Sequence, residues 1–118
     1  MTKERRQYLR VKERHKVHMT VKSSTGGETA GKAEFVGWTD NISVGGLSLT
    51  SHKMLPVGED VDLHIECTHP LESYEIGGRV MWCTQESGTQ SAQAGIYVQE
   101  TPREAFLEWS RMVARRAE

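Results

Sequence analysis

The sequence predicts a mainly β fold: a small antiparallel barrel of about six short strands, followed by one amphipathic helix. Three observations carry this. Apolar and polar residues alternate in several short runs. Clusters of Gly, Pro, Asn, Asp and Ser separate those runs. The end of the chain then switches to helical spacing. At 118 residues the chain suits a single domain with a modest core.

Residues 1–14 are polar and lack a sustained apolar period, so they read as a flexible basic arm. Residues 15–118 read as the barrel and its helix. From Lys16, Val17, Met19 and Val21 point one way while His18, Thr20 and Lys22 point the other, which predicts a half-buried strand. Ser23-Ser24-Thr25-Gly26-Gly27-Glu28 reads as a hairpin loop. A strand over 33–39 follows, with Val36 and Trp38 on one face and Phe35 on the other. The stretch from Asp40 to Gly46 interrupts the strands, and Leu47 and Leu49 restart the alternation. Pro56-Val57-Gly58 is a turn. Beyond it Val61, Leu63, Ile65 and Cys67 face inward, with Asp60, Asp62, His64 and Glu66 toward water. Further strands are predicted at 75–84 and 95–99.

Thr101, Pro102 and Glu104 supply a hydroxyl cap, a proline at the first helical position and a carboxylate at the third. That pattern is a capping box with proline in its favoured place. Phe106, Trp109, Met112 and Val113 then recur at helical spacing, so a helix is expected over 102–116.

No apolar run is long enough to span a bilayer. The N-terminus is basic and lacks the apolar stretch of a secretory signal, so a cytoplasmic protein without a membrane partner is expected. Cys67 and Cys83 are far apart and form no Cys-x-x-Cys clip, which argues against a disulfide scaffold or a zinc site. Both sit in strand-like patterns, where cysteine acts as a small apolar residue. The net charge of −1 conceals an asymmetry: seven basic and two acidic residues through residue 16 give that stretch +5 and leave −6 for the rest. A basic arm on an acidic body points to a local anionic partner rather than a duplex-binding face. A merely solvated tail is an equally ordinary reading of charge alone.

Two short segments carry the candidate chemistry. Arg5-Arg6-Gln7-Tyr8-Leu9-Arg10 offers planar, permanently charged forks. A fork of this kind grips a phosphate with two hydrogen bonds, pairs with guanine O6 and N7, or stacks on a base. Asn41-Ile42-Ser43-Val44-Gly45-Gly46 is complementary. Its Asn can accept from guanine N–H groups, Ser43 can donate to a phosphate, and Gly45-Gly46 lets backbone approach a flat ligand. Read alone, the second segment is more ordinarily an Asx or Ser turn between strands.

Taken together the two segments resemble the PilZ family. Arg6-x-x-x-Arg10 matches that family's arginine motif, and Asn41-x-Ser43-x-x-Gly46 matches its second motif. The order, the flanking strands and the trailing helix agree over nearly the whole chain. The resemblance implies a six-stranded barrel whose N-terminal arm folds over cyclic di-GMP against the outer barrel face. It assigns phosphates and guanine edges to the arginines, and guanine and phosphate to the second motif. The ligand set it implies is Arg5, Arg6, Arg10, Asn41, Ser43, Gly45 and Gly46. Arg5 just before the motif further implies capture of a stacked, intercalated pair of ligands. No enzymatic, receiver or transmembrane segment is recognised beside the barrel, so a stand-alone PilZ protein is expected. Tyr8, between the arginines, and Asp40, beside Asn41, receive no assigned role.

Other residues are not taken as chemistry. His15, His18, His52, His64 and His69 form no metal-ligand pair, and no metal or cofactor is expected. Ser43 lacks a nucleophile elbow, so no catalysis is expected. Trp38, Trp82 and Trp109 are read as core or barrel-to-helix packing rather than base-stacking platforms. The leading function is therefore a cyclic di-GMP receptor that orders its arm on binding and signals to a partner protein. One alternative is a PilZ-like adaptor working through protein contacts without ligand, which the intact motifs disfavour. The other is a small barrel for single-stranded nucleic acid. The acidic strand faces disfavour that reading, so neither DNA nor RNA is expected as a partner.

Overall fold

The computed structural model describes residues 10–22 and 32–117. Its strands are β1 (Lys16–Lys22), β2 (Lys32–Ile42), β3 (Gly46–Ser51), β4 (Asp60–Cys67), β5 (Glu72–Gln85) and β6 (Ala92–Val98), followed by the helix α1 (Arg103–Arg116). The strands close into a barrel in the order β1-β2-β3-β6-β5-β4, and every pair is antiparallel. Because β1 pairs with both β2 and β4, the sheet has no open edge. The segment 23–28, read as a hairpin loop, lies outside the described residues.

Period-two patterning sets the inside of the barrel. Val17, Met19 and Val21 of β1 and Leu47 and Leu49 of β3 are buried. So are Val61, Leu63, Ile65 and Cys67 of β4, where the alternation expected from the sequence holds. Trp109, Met112 and Val113 of α1 complete the core. The helix lies at the end where β2 and β4 finish and β3 and β5 begin. Trp109 meets Tyr74 edge-on at 6.4 Å between ring centroids.

The helix begins one residue later than the sequence suggests, and the expected capping box is not made. Pro102 itself occupies the N-cap in an extended conformation (φ −64°, ψ 148°), with no side-chain cap bond. Its carbonyl accepts the Phe106 N–H at 3.1 Å, which leaves Thr101 outside the first turn. Glu104 still places a carboxylate near the positive helix end.

The barrel also starts earlier than the expected boundary at residue 15. Val11 is 7% exposed and exchanges two backbone bonds with Ile42, at 2.8 and 2.9 Å. His15 donates its backbone N–H to Thr39 Oγ1 at 2.8 Å, and Thr39 Oγ1 donates to the Glu13 carbonyl at 2.6 Å. Residues 10–14, counted with the arm, are thus seated on β2. The inward positions from 11 to 15 hold Val11, Glu13 and His15, and only one of these is aliphatic.

Both cysteines are free. Burial pushes the Cys67 thiol above its ordinary value; nearby Arg116 opposes this, while Glu72 and Glu13 add to it. Cys83 is half-buried, accepting the Leu55 N–H at 3.4 Å. Native protein is therefore expected to react with a thiol reagent at Cys83 and to protect Cys67 at neutral pH. Two equally fast thiols in a native titration would contradict that burial.

Candidate functional site

Two β-bulges shape one face of the barrel. On β2 the inward set is Phe35, Gly37 and Thr39, so strict alternation would turn Asn41 inward as well. The register instead shifts between Thr39 and Asn41: Thr39 pairs with Leu49 and Asn41 with Ser48, leaving Asp40 as the extra residue. On β5 the inward set is Ile76, Gly78 and Val80, which would carry Trp82 into the core. Here the register shifts between Val80 and Trp82, with Val80 opposite Ile96 and Trp82 opposite Gly95. Met81 is the extra residue. A bulge re-aims the side chains that follow it. These two turn Asn41 and Trp82 outward on either side of the β3–β6 pair.

Between them lies a floor of small residues. Gly46 and Ser48 of β3 stand beside Tyr97 and Gly95 of β6. A Cβ on Gly46 would come within 2.8 Å of the Ile96 carbonyl oxygen. A Cβ on Gly95 would collide with the Trp82 indole, so that ring lies across the glycine backbone. The result is an open cleft of about 450 Å³ lined by Arg10, Ser43, Gly46, Ser48, Trp82 and Tyr97 among others. Trp82 and Tyr97 are 46% and 47% exposed, and Met81 beside them is exposed too.

The polar wall is held by short bonds. Arg10 Nη1 donates to Asn41 Oδ1 at 2.9 Å. The Ser43 N–H and its Oγ both donate to the Gly46 carbonyl, at 2.8 and 3.0 Å. The Ser43 carbonyl in turn accepts the Trp109 indole N–H at 3.1 Å. The Gly45 carbonyl accepts the Val98 N–H at 3.0 Å, tying the turn to β6. Asp40, on the bulge, accepts Thr50 Oγ1 at 3.1 Å and lies 3.8 Å from Arg14.

The fold therefore brings Arg10, Asn41, Ser43, Gly45 and Gly46 together although Arg10 and Asn41 are 31 residues apart. Arg5, Arg6 and Tyr8 lie outside the described residues. Sequence reasoning missed the apolar wall of Met81, Trp82 and Tyr97. The packing role read for the tryptophans holds for Trp109, which is fully buried, but not for Trp38 and Trp82, at 43% and 46% exposed. Trp38 shares the outward face of β2 with Val36. The signal for Trp82 was the unbroken run Val80-Met81-Trp82, a break in alternation that marks a bulge.

Arg10 spends one donor on Asn41, and a guanidinium has five. The opposite wall presents an indole face, and the floor admits a planar group against backbone. The cleft thus carries a cationic group at Arg10 and aromatic rings at Trp82 and Tyr97. Among the described residues that line it there is no carboxylate, thiol or imidazole.

The chain is similar in fold to three solved structures. The Bacillus subtilis inhibitor of motility, MotI/DgrA, superposes with a TM-score of 0.68 at 19% identity, covering 97% of this chain and 52% of that one. This chain thus spans about half the length of that protein. The PilZ domain of CeSA from a cellulose-synthesising bacterium gives 0.61 at 13% identity, covering 90% of this chain and 95% of that one. The PilZ domain of Escherichia coli YcgR, whose structure contains c-di-GMP, gives 0.62 at 9% identity, covering 95% and 91%. No curated protein sequence is significantly similar to this chain. The PilZ domain family model matches residues 4–110, which takes in both the arginine segment and the Asn41–Gly46 turn, and the chain belongs to the PilZ domain family.

Proposed function

We propose that this protein is a cyclic di-GMP receptor whose arm and barrel close on the ligand, creating a surface for a partner protein. The observation that carries the reading is the pairing of Arg10 with Asn41 at the rim of a cleft whose far wall is the face of Trp82. Cyclic di-GMP offers what such a cleft selects: two phosphates for guanidinium forks and flat guanines for an indole and a backbone floor. Arg6 and Arg5 would add further forks from the arm. PilZ domains are regulatory binding domains, and the output here is a protein contact rather than a reaction. Among the described residues, no helix is long and apolar enough to cross a membrane.

Calorimetric titration tests this. Cyclic di-GMP is expected to bind in the micromolar range or tighter, a free energy of about −8 kcal/mol or more favourable. Added salt should weaken binding by screening the phosphate contacts. GTP and an oligonucleotide are the controls, and a blank at high protein concentration would remove the proposal. The same titration reads stoichiometry. Two ligands per protomer in the wild type, falling to one in Arg5→Ala, is the expected pattern for a stacked pair. One ligand in both would leave the receptor and remove the pair.

Amide hydrogen exchange reads closure of the arm. Ligand should add protection to residues 4–9. The Val11 amide, already bonded to the Ile42 carbonyl, should be slow with or without ligand. Strand β4 should change little. No gain over 4–9 on saturation would exclude ordering of the arm, whatever the affinity.

A further inference from the structure

We infer that α1 positions both halves of the ligand site, Trp109 through the Ser43 carbonyl and Arg116 through Glu13, so that ligand binding and helix seating are coupled. The inference rests on the cyclic di-GMP reading above. It starts from two buried donors on one helix. The Trp109 side chain is wholly buried, where an indole N–H is expensive to leave without an acceptor. Its acceptor is the Ser43 carbonyl, at 3.1 Å, in the turn that the Ser43 N–H and hydroxyl close onto the Gly46 carbonyl. One helix side chain thus holds the conformation of the second binding segment.

The other donor holds the first. The Arg116 side chain is 12% exposed and donates to Glu13 Oε1 at 3.0 Å. Glu13 lies three residues after Arg10, and its backbone carbonyl is fixed by Thr39, two residues before Asn41. Glu13 Oε1 also meets His15 Nε2 at 2.7 Å, so the carboxylate is gripped from the helix and from its own segment ahead of β1.

Positions 109 and 116 are seven residues apart, two helical turns, and so face the same way about 10 Å apart along the axis. A rigid rod with these two grips sets the spacing between the Arg10 segment and the Ser43–Gly46 turn. A ligand that bridges the two segments needs that spacing, and holding it beforehand lowers the ordering cost of binding. Reciprocity then requires bound ligand to tighten the seating of α1 by the same factor.

The experiment combines two variants with one spectroscopic signal of the wild type. Trp109→Phe keeps a ring in the core and removes the donor. Arg116→Gln removes the charged grip and touches no ligand. Each is expected to weaken cyclic di-GMP binding about fivefold, the worth of one net hydrogen bond. Arg116→Lys should recover part of the loss. In the wild type, ligand should shift the Trp109 indole N–H resonance and slow amide exchange through 109–113, although Trp109 is absent from the cleft lining. A purely structural helix would lower the melting temperature in both variants while folded protein kept wild-type affinity. That result, with an unmoved indole resonance, overturns the coupling and leaves the receptor standing. If Trp109→Phe fails to fold, Arg116→Gln and the wild-type resonance decide. If the wild type itself binds nothing, the receptor reading falls and the coupling with it.

Discussion

Replacing Arg10 by alanine is expected to weaken cyclic di-GMP binding by roughly 5- to 150-fold, the range of one bidentate arginine contact at about 1–3 kcal/mol. Arg10 is exposed at the rim, and its bond to Asn41 fixes the direction of the fork before ligand arrives. Alanine removes both the charge and that orientation. The fold should barely notice, because an exposed side-chain bond adds little stability. A change in melting temperature within about 3 °C is expected. Salt provides a second readout. With one phosphate contact gone, the remaining affinity should fall less steeply with ionic strength. Wild-type affinity in Arg10→Ala, or a protein that no longer folds, would contradict the role assigned to this residue.

Replacing Trp82 by alanine should produce a loss of similar size by a different route, about 1–3 kcal/mol for one base stacked on an aromatic ring. The indole lies on the Gly95 backbone, lines the cleft and has nearly half its surface exposed. A guanine would sandwich it. Because the ring carries no charge, Trp82→Ala should leave the salt dependence unchanged, in contrast to Arg10→Ala. Trp82→Phe should retain most of the affinity, since a smaller flat face remains. Parallel titrations at two ionic strengths separate the two walls of the cleft. Identical salt slopes for wild type and Arg10→Ala, or full affinity in Trp82→Ala, would show that the ligand sits elsewhere.

Much of this site was legible in the sequence, and what was missed has a common cause. Strand β4 alternates without interruption, so the burial of Val61, Leu63, Ile65 and Cys67 followed directly from period two. The two polar segments were visible as residue types at spacings that strands alone do not need. Trp82 failed because a residue's side of the sheet is its parity along the strand, and one inserted residue reverses it. Counting from Val80 puts Trp82 inside; the extra Met81 puts it outside. The same insertion at Asp40 makes Asn41 part of a strand that was read as interrupted. The arm boundary was missed for another reason. The inward positions Val11, Glu13 and His15 do alternate, but a carboxylate and an imidazole among them hid the pattern; in the fold Arg116 donates to the Glu13 carboxylate, which also meets the His15 ring, and Thr39 Oγ1 accepts the His15 backbone N–H. The capping box failed because Pro102 serves as the N-cap itself, a backbone outcome that residue type does not specify.

The alternation of β3 has a consequence for how such a protein can change over generations. Leu47 and Leu49 hold the interior, while Gly46 and Ser48, their immediate neighbours, form the cleft floor. Neighbouring codons therefore answer to different selective demands. Substitutions at Ser48, Tyr97 or Trp82 can retune which molecule the surface accepts without drawing on the stability held by Leu47, Leu49 and Ile96. Gly46 is the exception, since any side chain there presses on the Ile96 carbonyl. Diversification of ligand preference on this scaffold should therefore concentrate at alternate positions and spare that glycine.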